Sequence, residues 1–335
     1  MPPHPHRPPE LAWQVFRGSE AIRRGLLSRH HLRGASWIRL RQDVYADARL
    51  DRDHALACRA ALLRMPPGAA IAGPSAAYLH GVGHAADFTD DVHVLLPATV
   101  RADSQPGVRV HHAPMSSTRS GLLVPVGAAA AAARTSPPAG TNPRAGTNPS
   151  SLGAALIPAG PPPRTEPAAC AWETAVWADP VKAVGIIDGL LRTGSVNRSA
   201  LASEAARNAC RPGGRRAAWV FGLTDGLAQS PPESHLRVRL VLAGLPRPVA
   251  QYPVRVSTGL ILHPDLAWPE FRVAAEYDGQ WHSDADRMHL DRRRLDQLVA
   301  AGWLVLHVTG RRLRKEFPAL VREIRAALVA RGWRP

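Results

Sequence analysis

The chain has 335 residues, 45% hydrophobic and 21% charged, with a formal net charge of +15 and a pI near 11.2. That length argues against a single core, since one domain takes about 100 to 200 residues, and the composition is that of a globular protein. The basic excess favours polyanionic partners, nucleic acid before a membrane surface, because cations on phosphates release condensed counterions. Yet only Lys182 and Lys315 are lysines, and a genome rich in G and C would impose the same arginine bias without selection for binding.

Cys58, Cys170 and Cys210 stand far apart with no Cys-x-x-Cys spacing, which supports neither a disulfide framework nor a zinc site. The opening MPPHPHRPPE lacks the basic-then-apolar order of a signal peptide. No apolar run approaches the roughly 20 residues of a membrane span, so the expected location is the cytoplasm.

Residues 13–126 read as an α+β unit. GSEAIRRGLLSRHHLRG has helical spacing through Ala21, Ile22, Leu26 and Leu27, a cap at Ser28 and a second short helix ending at Gly34. SWIRLRQDVYAD then alternates Trp37, Ile38, Leu40, Val44 and Tyr45 with polar residues, a small hairpin. Helix, turn, short helix and hairpin together predict a winged helix-turn-helix. Helices at Asp53–Met65 and Pro74–Leu79 and strands DVHVLLP and GVRVHHA follow. His80, His84 and the pair His111-His112 lack an acidic or Cys partner at ligand spacing and read as structural histidines.

Residues 127–167 are rich in Ala, Pro, Gly, Thr and Asn, with the near-tandem AGTNPR and AGTNPS, and predict a flexible insertion. Residues 168–229 form a helical spacer broken at Asp179-Pro180, Gly194 and Pro212-Gly213-Gly214. Residues 230–335 predict a helix over PPESHLRVRLVLAGL, then strands VAQYPVRV, LILHPDLAW and FRVAAEYDG, a long polar helix from Ser283 to Ala301, the strand WLVLHVT and a last amphipathic helix.

The chemistry concentrates in HPDLAWPEFRVAAEYDGQWH, His263 to His282. Residues two apart in a strand share a face, so Ala274, Glu276 and Asp278 point one way, and the Pro269 break allows Asp265 to lie across from Glu276. Asp265, Glu276 and Asp278 are therefore candidate ligands for Mg²⁺, a hard cation that would polarise a phosphodiester and acidify an attacking water. His282 is the candidate general acid or base. Acids on the outer face of an exposed hairpin, ended by an Asp278-Gly279 turn, are the plain alternative.

The run PDLAWPEFRVAAEYDGQWH, the helix LDRRRLDQLVAAGW and the strand LVLHVT resemble the very-short-patch-repair endonuclease-like branch of the restriction-endonuclease-like PD-(D/E)XK superfamily. The resemblance covers Ser230 to Leu328. It implies a Mg²⁺-dependent endonuclease in which Asp265 is the first acid, Glu276 the second and His282 the His after the Asp-Gly segment. Asp291 and Arg294 match a signature of the following helix, and Glu233 matches a Glu that assists the metal site. Where the wider superfamily has Lys two residues after the second acid, this sequence has Asp278. Either His282 or an arginine must then take over that role, or the site is weak. Of the run Arg292, Arg293 and Arg294, at least one is expected on a DNA phosphate, with Arg292 and Arg294 as the candidates and a solvated helix face as the alternative.

RRGLLSRHHLRG, DVYAD and AAIAGPSAAYLHGV resemble the AbiEi-type antitoxin family, over Val15 to Val110. That resemblance implies a winged helix-turn-helix beside a second domain, repression of the protein's own operon, and a toxin or operon partner protein. Arg29 and Arg33 on the second helix, and Arg39 and Arg41 on the hairpin, are the candidate DNA contacts.

The expected architecture is an α+β winged-helix-like region, a helical middle and a C-terminal α/β restriction-endonuclease-like domain with a mixed central sheet flanked by helices. The expected activity is Mg²⁺-dependent hydrolysis of DNA phosphodiesters. The alternative is a non-catalytic DNA-binding regulator that keeps a nuclease fold, and RNA is a further possible substrate.

Overall fold

The structure is a computed structural model and describes residues 6–113, 162–278 and 285–335, with backbone alone over 285–292. The chain is mixed α/β and divides into two compact units, Met1–Glu173 and Thr174–Pro335. Among the described residues no helix is long and apolar enough to cross a membrane.

In the first unit, strands β1 (Val15–Arg17), β2 (Trp37–Arg41) and β3 (Val44–Asp47) form an antiparallel sheet in the order β1-β3-β2, with helix α1 (Gly18–Arg23) after β1. Alternation along β1 sends Phe16 into one core with Leu11, Ala21, Leu27 and Trp37, and Val15 into another with Val44, Ala46, Leu56 and Ala60. The β2–β3 turn places Asp43 at φ 60°, and its carboxylate accepts from the Ser19 N–H at 2.7 Å and the Ser19 hydroxyl at 2.6 Å. A Cβ on Gly18 would stand 2.6 Å from the Tyr45 ring, so glycine alone lets α1 start this close to β3.

The second helix expected between Ser28 and Gly34 is a single 3-10 turn, His31–Arg33. The Ser28 N–H donates to His31 Nδ1 and the His31 N–H donates to Ser28 Oγ, both at 3.2 Å. Such local side-chain bonds compete with an α-helical ladder, and the run is too short to outweigh them.

Helix α2 (His54–Leu62) and helix α3 (Gly73–Leu79) pack on a second sheet of strands β4 (Ala70–Ile71), β5 (Val92–Pro97) and β6 (Val108–Ala113), in the order β4-β5-β6. Buried His54 ties them together: Nδ1 donates to the Asp87 carbonyl at 2.7 Å and Nε2 accepts from the Ser75 hydroxyl at 2.8 Å. The Ile71 N–H donates to the Pro163 carbonyl at 2.8 Å and the Thr165 N–H to the Ile71 carbonyl at 2.9 Å, so the last residues of the expected insertion lie along β4. Helix α4 (Pro167–Trp177) brings in Glu173, which accepts from the Gly73 N–H and the Thr165 hydroxyl, each at 2.8 Å.

The second unit continues with helices α5 (Pro180–Arg192), α6 (Arg198–Arg207), α7 (Gly214–Leu223) and α8 (Pro231–Leu242). Helices α5 and α8 are joined by a buried ion pair, Arg237 Nη2 to Asp188 Oδ2 at 2.7 Å, with both side chains 1% exposed. Asp188 also accepts from the Ser234 hydroxyl at 2.7 Å and from the N–H groups of Asp225 and Gly226 at 2.9 and 3.0 Å. Arg237 donates as well to the Leu223 carbonyl and has Asp225 Oδ2 at 2.9 Å. Every oxygen of Asp188 is thus occupied, the condition under which a buried charge is tolerated.

Beyond α8 the expected strands VAQYPVRV and LILHPDLAW are each split, into β7 (Val249–Ala250) and β8 (Val254–Arg255), and into β9 (Ile261–Leu262) and β10 (Leu266–Trp268). Pro253 and Pro264 stand at the breaks, where the missing N–H ends ladder pairing. Strands β8 and β9 pair with each other. The main sheet, in the order β12-β11-β10-β7, adds β11 (Val273–Asp278) and β12 (Leu304–Thr309). It is mixed: β11 runs antiparallel to β10 and parallel to β12. Helix α9 (Ala285–Ala300) makes the crossover, and helices α10 (Gly310–Lys315) and α11 (Phe317–Ala330) follow β12.

Both faces of this sheet are covered. Leu266, Val273, Ala275 and Val308 pack with Leu236 and Leu240 of α8 and with Leu320, Ile324 and Leu328 of α11. Ala267 and Ala274 face the other way, against Leu298 of α9, Trp303, and Val254 and Val256 at the β8–β9 hairpin.

Candidate active site

Strand β11 is apolar and buried through Val273, Ala274 and Ala275, and then places a carboxylate, Glu276, at 6% exposure. The β10–β11 register pairs Leu266 with Ala275, so Asp265, one residue before β10, comes opposite Glu276. The Asp265 carboxylate is aimed by two donors, the Tyr277 N–H to Oδ2 at 2.8 Å and the Gln251 side-chain amide to Oδ1 at 3.2 Å. Gln251 takes a positive φ of 51° just after β7 and accepts from the Gln229 amide at 3.1 Å, while its carbonyl accepts from His263 Nδ1 at 3.0 Å.

Glu276 Oε1 is buried and accepts no hydrogen bond among the described residues, although Arg294 Nη2 stands 3.3 Å away. Burial, and then the negative charge of Asp265, push the Glu276 carboxyl up to about 8. Burial raises Asp265 as well, against the lowering effect of the Tyr277 N–H. Two buried acids that resist joint ionisation are a pair short of positive charge, the electrostatic opening that a divalent cation fills.

The other expected residues divide. Glu233 is buried near this pair, and burial followed by the charge of Asp265 raises its carboxyl. Both its oxygens are occupied at the start of α8: Oε1 accepts from the Ser230 hydroxyl at 2.7 Å and Oε2 from the Gln229 N–H at 2.8 Å. The text SPPE carries this in its spacing, a Ser at the helix entrance with Glu three residues on. Asp278 is exposed at the end of β11 and its Oδ2 lies 3.1 Å from His307 Nδ1 on β12. Among the described residues no group of three or more His, Cys, Asp or Glu side chains is placed to hold a metal ion; Asp265 and Glu276 face each other, and Asp278 contacts His307. His282 lies outside the described residues, as do the side chains of Asp291 and Arg292. Arg294 sits on Glu276 and donates to the His263 carbonyl.

Gln251 and His307 carry no mark in the sequence. Gln251 follows a two-residue strand, and its amide acquires meaning only when the chain turns it toward Asp265. His307 reads as one polar residue of an alternating strand, and only the parallel register sets it beside Glu276 and near Asp278.

No family model matches the chain, and no solved structure matches it. Two uncharacterised proteins from two strains of Mycobacterium tuberculosis are each 33% identical to it over 153 residues, 45% of this chain and 56% of theirs. The chain thus spans little more than half the length of the curated relatives it matches.

In the first unit Arg29, Arg33 and Arg39 are exposed, and Arg39 Nε donates to the Arg41 carbonyl at 3.4 Å. Arg41 is half-buried and donates to the carbonyls of Pro106 and Gly107, each at 2.9 Å, which clamps the β2–β3 hairpin to the turn before β6. Arg41→Ala is therefore expected to lower the stability of this unit by about 1–2 kcal/mol in thermal or urea unfolding, whereas Arg39→Ala stays within about 0.5 kcal/mol of wild type. His80 Nε2 donates to the Thr165 carbonyl at 2.8 Å, and His111 Nε2 lies 3.0 Å from His93 Nδ1, both internal contacts of the fold.

Proposed function

We propose that the second unit is a Mg²⁺-dependent DNA endonuclease of the very-short-patch-repair-like, restriction-endonuclease-like type, and that the first unit, a winged-helix-like module, positions the duplex. The observation that carries this reading is the buried pair Asp265 and Glu276, set opposite each other on adjacent strands with an unbonded Glu276 oxygen. Its support in the fold is the mixed sheet covered by helices on both faces.

The residues present fit Mg²⁺, which takes one or two carboxylates and fills its remaining positions with water and phosphate oxygens. Asp265 and Glu276 would hold it. When bound, it supplies Lewis-acid polarisation of the phosphodiester and a more acidic water. Gln251 and the Tyr277 N–H fix the angle of Asp265. Arg294, 3.3 Å from Glu276 and 36% exposed, is placed to meet an anionic group arriving at the pair. His307, opposite Glu276 on β12, hydrogen-bonds Asp278 at the end of β11 through Nδ1.

Plasmid nicking by the full chain tests the reading. Cleavage is expected with Mg²⁺ or Mn²⁺ and a loss of about 10²-fold or more in Asp265→Ala and Glu276→Ala. Wild-type protein that leaves supercoiled, linear and single-stranded DNA intact with both metals sinks it.

One observation favours a second reading, a non-catalytic DNA-binding regulator: Asp278 stands where a Lys would orient water. Under that reading Arg39→Ala weakens operator binding while Asp265→Ala leaves it intact, as electrophoretic mobility shifts would show.

A further inference from the structure

We propose that α10 grips the sugar-phosphate backbone of the substrate across the carboxyl ends of β11 and β12. This rests on the reading of the second unit as one that acts on DNA. It adds the surface that holds the strand beside the acid pair.

Four of the six residues of Gly310–Lys315 are basic: Arg311, Arg312, Arg314 and Lys315. The helix is fixed in place by buried Leu313 and by Thr309, whose hydroxyl accepts from the Arg312 N–H at 3.3 Å. Arg312 is committed inward, donating to the His307 carbonyl and pairing with Glu323. Arg311 pairs with Glu316 at 2.9 Å, but at 77% and 43% exposure that pair is solvated and is readily exchanged for a phosphate. Arg314 and Lys315 are exposed, and no carboxylate pairs with either among the described residues.

The placement of this patch gives it a role. Thr309, the residue before α10, pairs with Asp278 in the parallel register, two residues along the strand from Glu276, or about 7 Å. A Cβ on Gly310 would meet Arg314 Nη1 and the Tyr277 hydroxyl, each at 3.0 Å, so the bare glycine lets the Arg314 guanidinium fold back toward the end of β11. Ligands of open α/β sheets gather beyond the carboxyl ends of strands. Six helical residues span about 9 Å, the rise of two to three phosphates along one strand of a duplex. The helix therefore matches a backbone in length and in sign, at the carboxyl end of the strand that carries Glu276.

The test is duplex binding by the full chain in EDTA, by fluorescence anisotropy over a KCl series, with cleavage measured separately in Mg²⁺. In Arg314→Ala/Lys315→Ala the slope of log K against log salt is expected to fall by about two, since each phosphate contact contributes about 0.9. Arg314→Lys/Lys315→Arg keeps the slope, as does Arg322→Ala on α11, and the melting temperature of the Ala variant is unchanged. A wild-type slope in the Ala variant overturns the proposal, whether or not the protein cuts. A reduced slope in a protein that never cuts supports the grip and removes the nuclease reading alone. Wild-type protein that binds anionic vesicles but no DNA at low salt overturns both.

Discussion

Glu276→Gln is expected to abolish the proposed metal-dependent cleavage and at the same time to raise the melting temperature of the protein at pH 8. The two effects have one origin. Glu276 is buried opposite Asp265, and its carboxyl is raised from 4.5 to about 8, so the folded protein holds a proton there that the unfolded chain has already released. More protons in the native state means that stability falls as pH rises through the window from about 4.5 to 8. Each unit of that shift is worth about 1.4 kcal/mol, so the total is a few kcal/mol. Glutamine keeps the shape and removes the titration. Melting curves at pH 5, 6.5 and 8 should fall steadily for wild type and much less for the variant. Mg²⁺ at pH 8 should raise the wild-type midpoint and leave that of Glu276→Gln in place. Parallel wild-type and variant curves across this range would show that Glu276 is hydrated and ionised, and would remove the basis of the metal site.

The second large effect lies away from the acids. Arg237→Ala or Asp188→Ala is expected to cost about 3–5 kcal/mol, because each leaves the other charge buried without its partner. The double variant Arg237→Met/Asp188→Leu should cost less than the two single losses together, since no charge is then stranded, and a double-mutant cycle in urea would show the coupling. Near-wild-type stability in both single variants would mean that water reaches the pair. Cleavage should fall with stability in these variants, as α8 carries Glu233 and packs Leu236 and Leu240 beneath the sheet.

Much of the local structure around the acid pair is legible in the sequence, and what is not has physical reasons. The period-two spacing of Glu276 and Asp278 and the break at Pro269 gave the strand, its turn and the approach of Asp265. Strand periodicity did not reveal that Asp278 would be drawn to His307, because that contact depends on a parallel pairing made across a whole helix. Arg294 stood out as a basic residue on a polar helix, and sequence alone offered it to DNA; its ion pair with Glu276 depends on where α9 lands. Arg41 was legible as a basic residue of the hairpin, but the carbonyls of Pro106 and Gly107 that bind it come from a turn far along the chain. Local text predicted local geometry, and the contacts it missed join residues distant in sequence.

The parallel pairing of β11 with β12 sets an order of events. An antiparallel neighbour such as β10 can fold onto β11 through a short turn, but β12 can take its place only after α9 has folded back across the sheet. Until β12 pairs, the edge of β11 that carries Glu276 has no neighbouring strand on that side. Closing β12 against β11 completes the strand pair that flanks Glu276, so the burial that raises its carboxyl depends on a pairing made across the whole of α9.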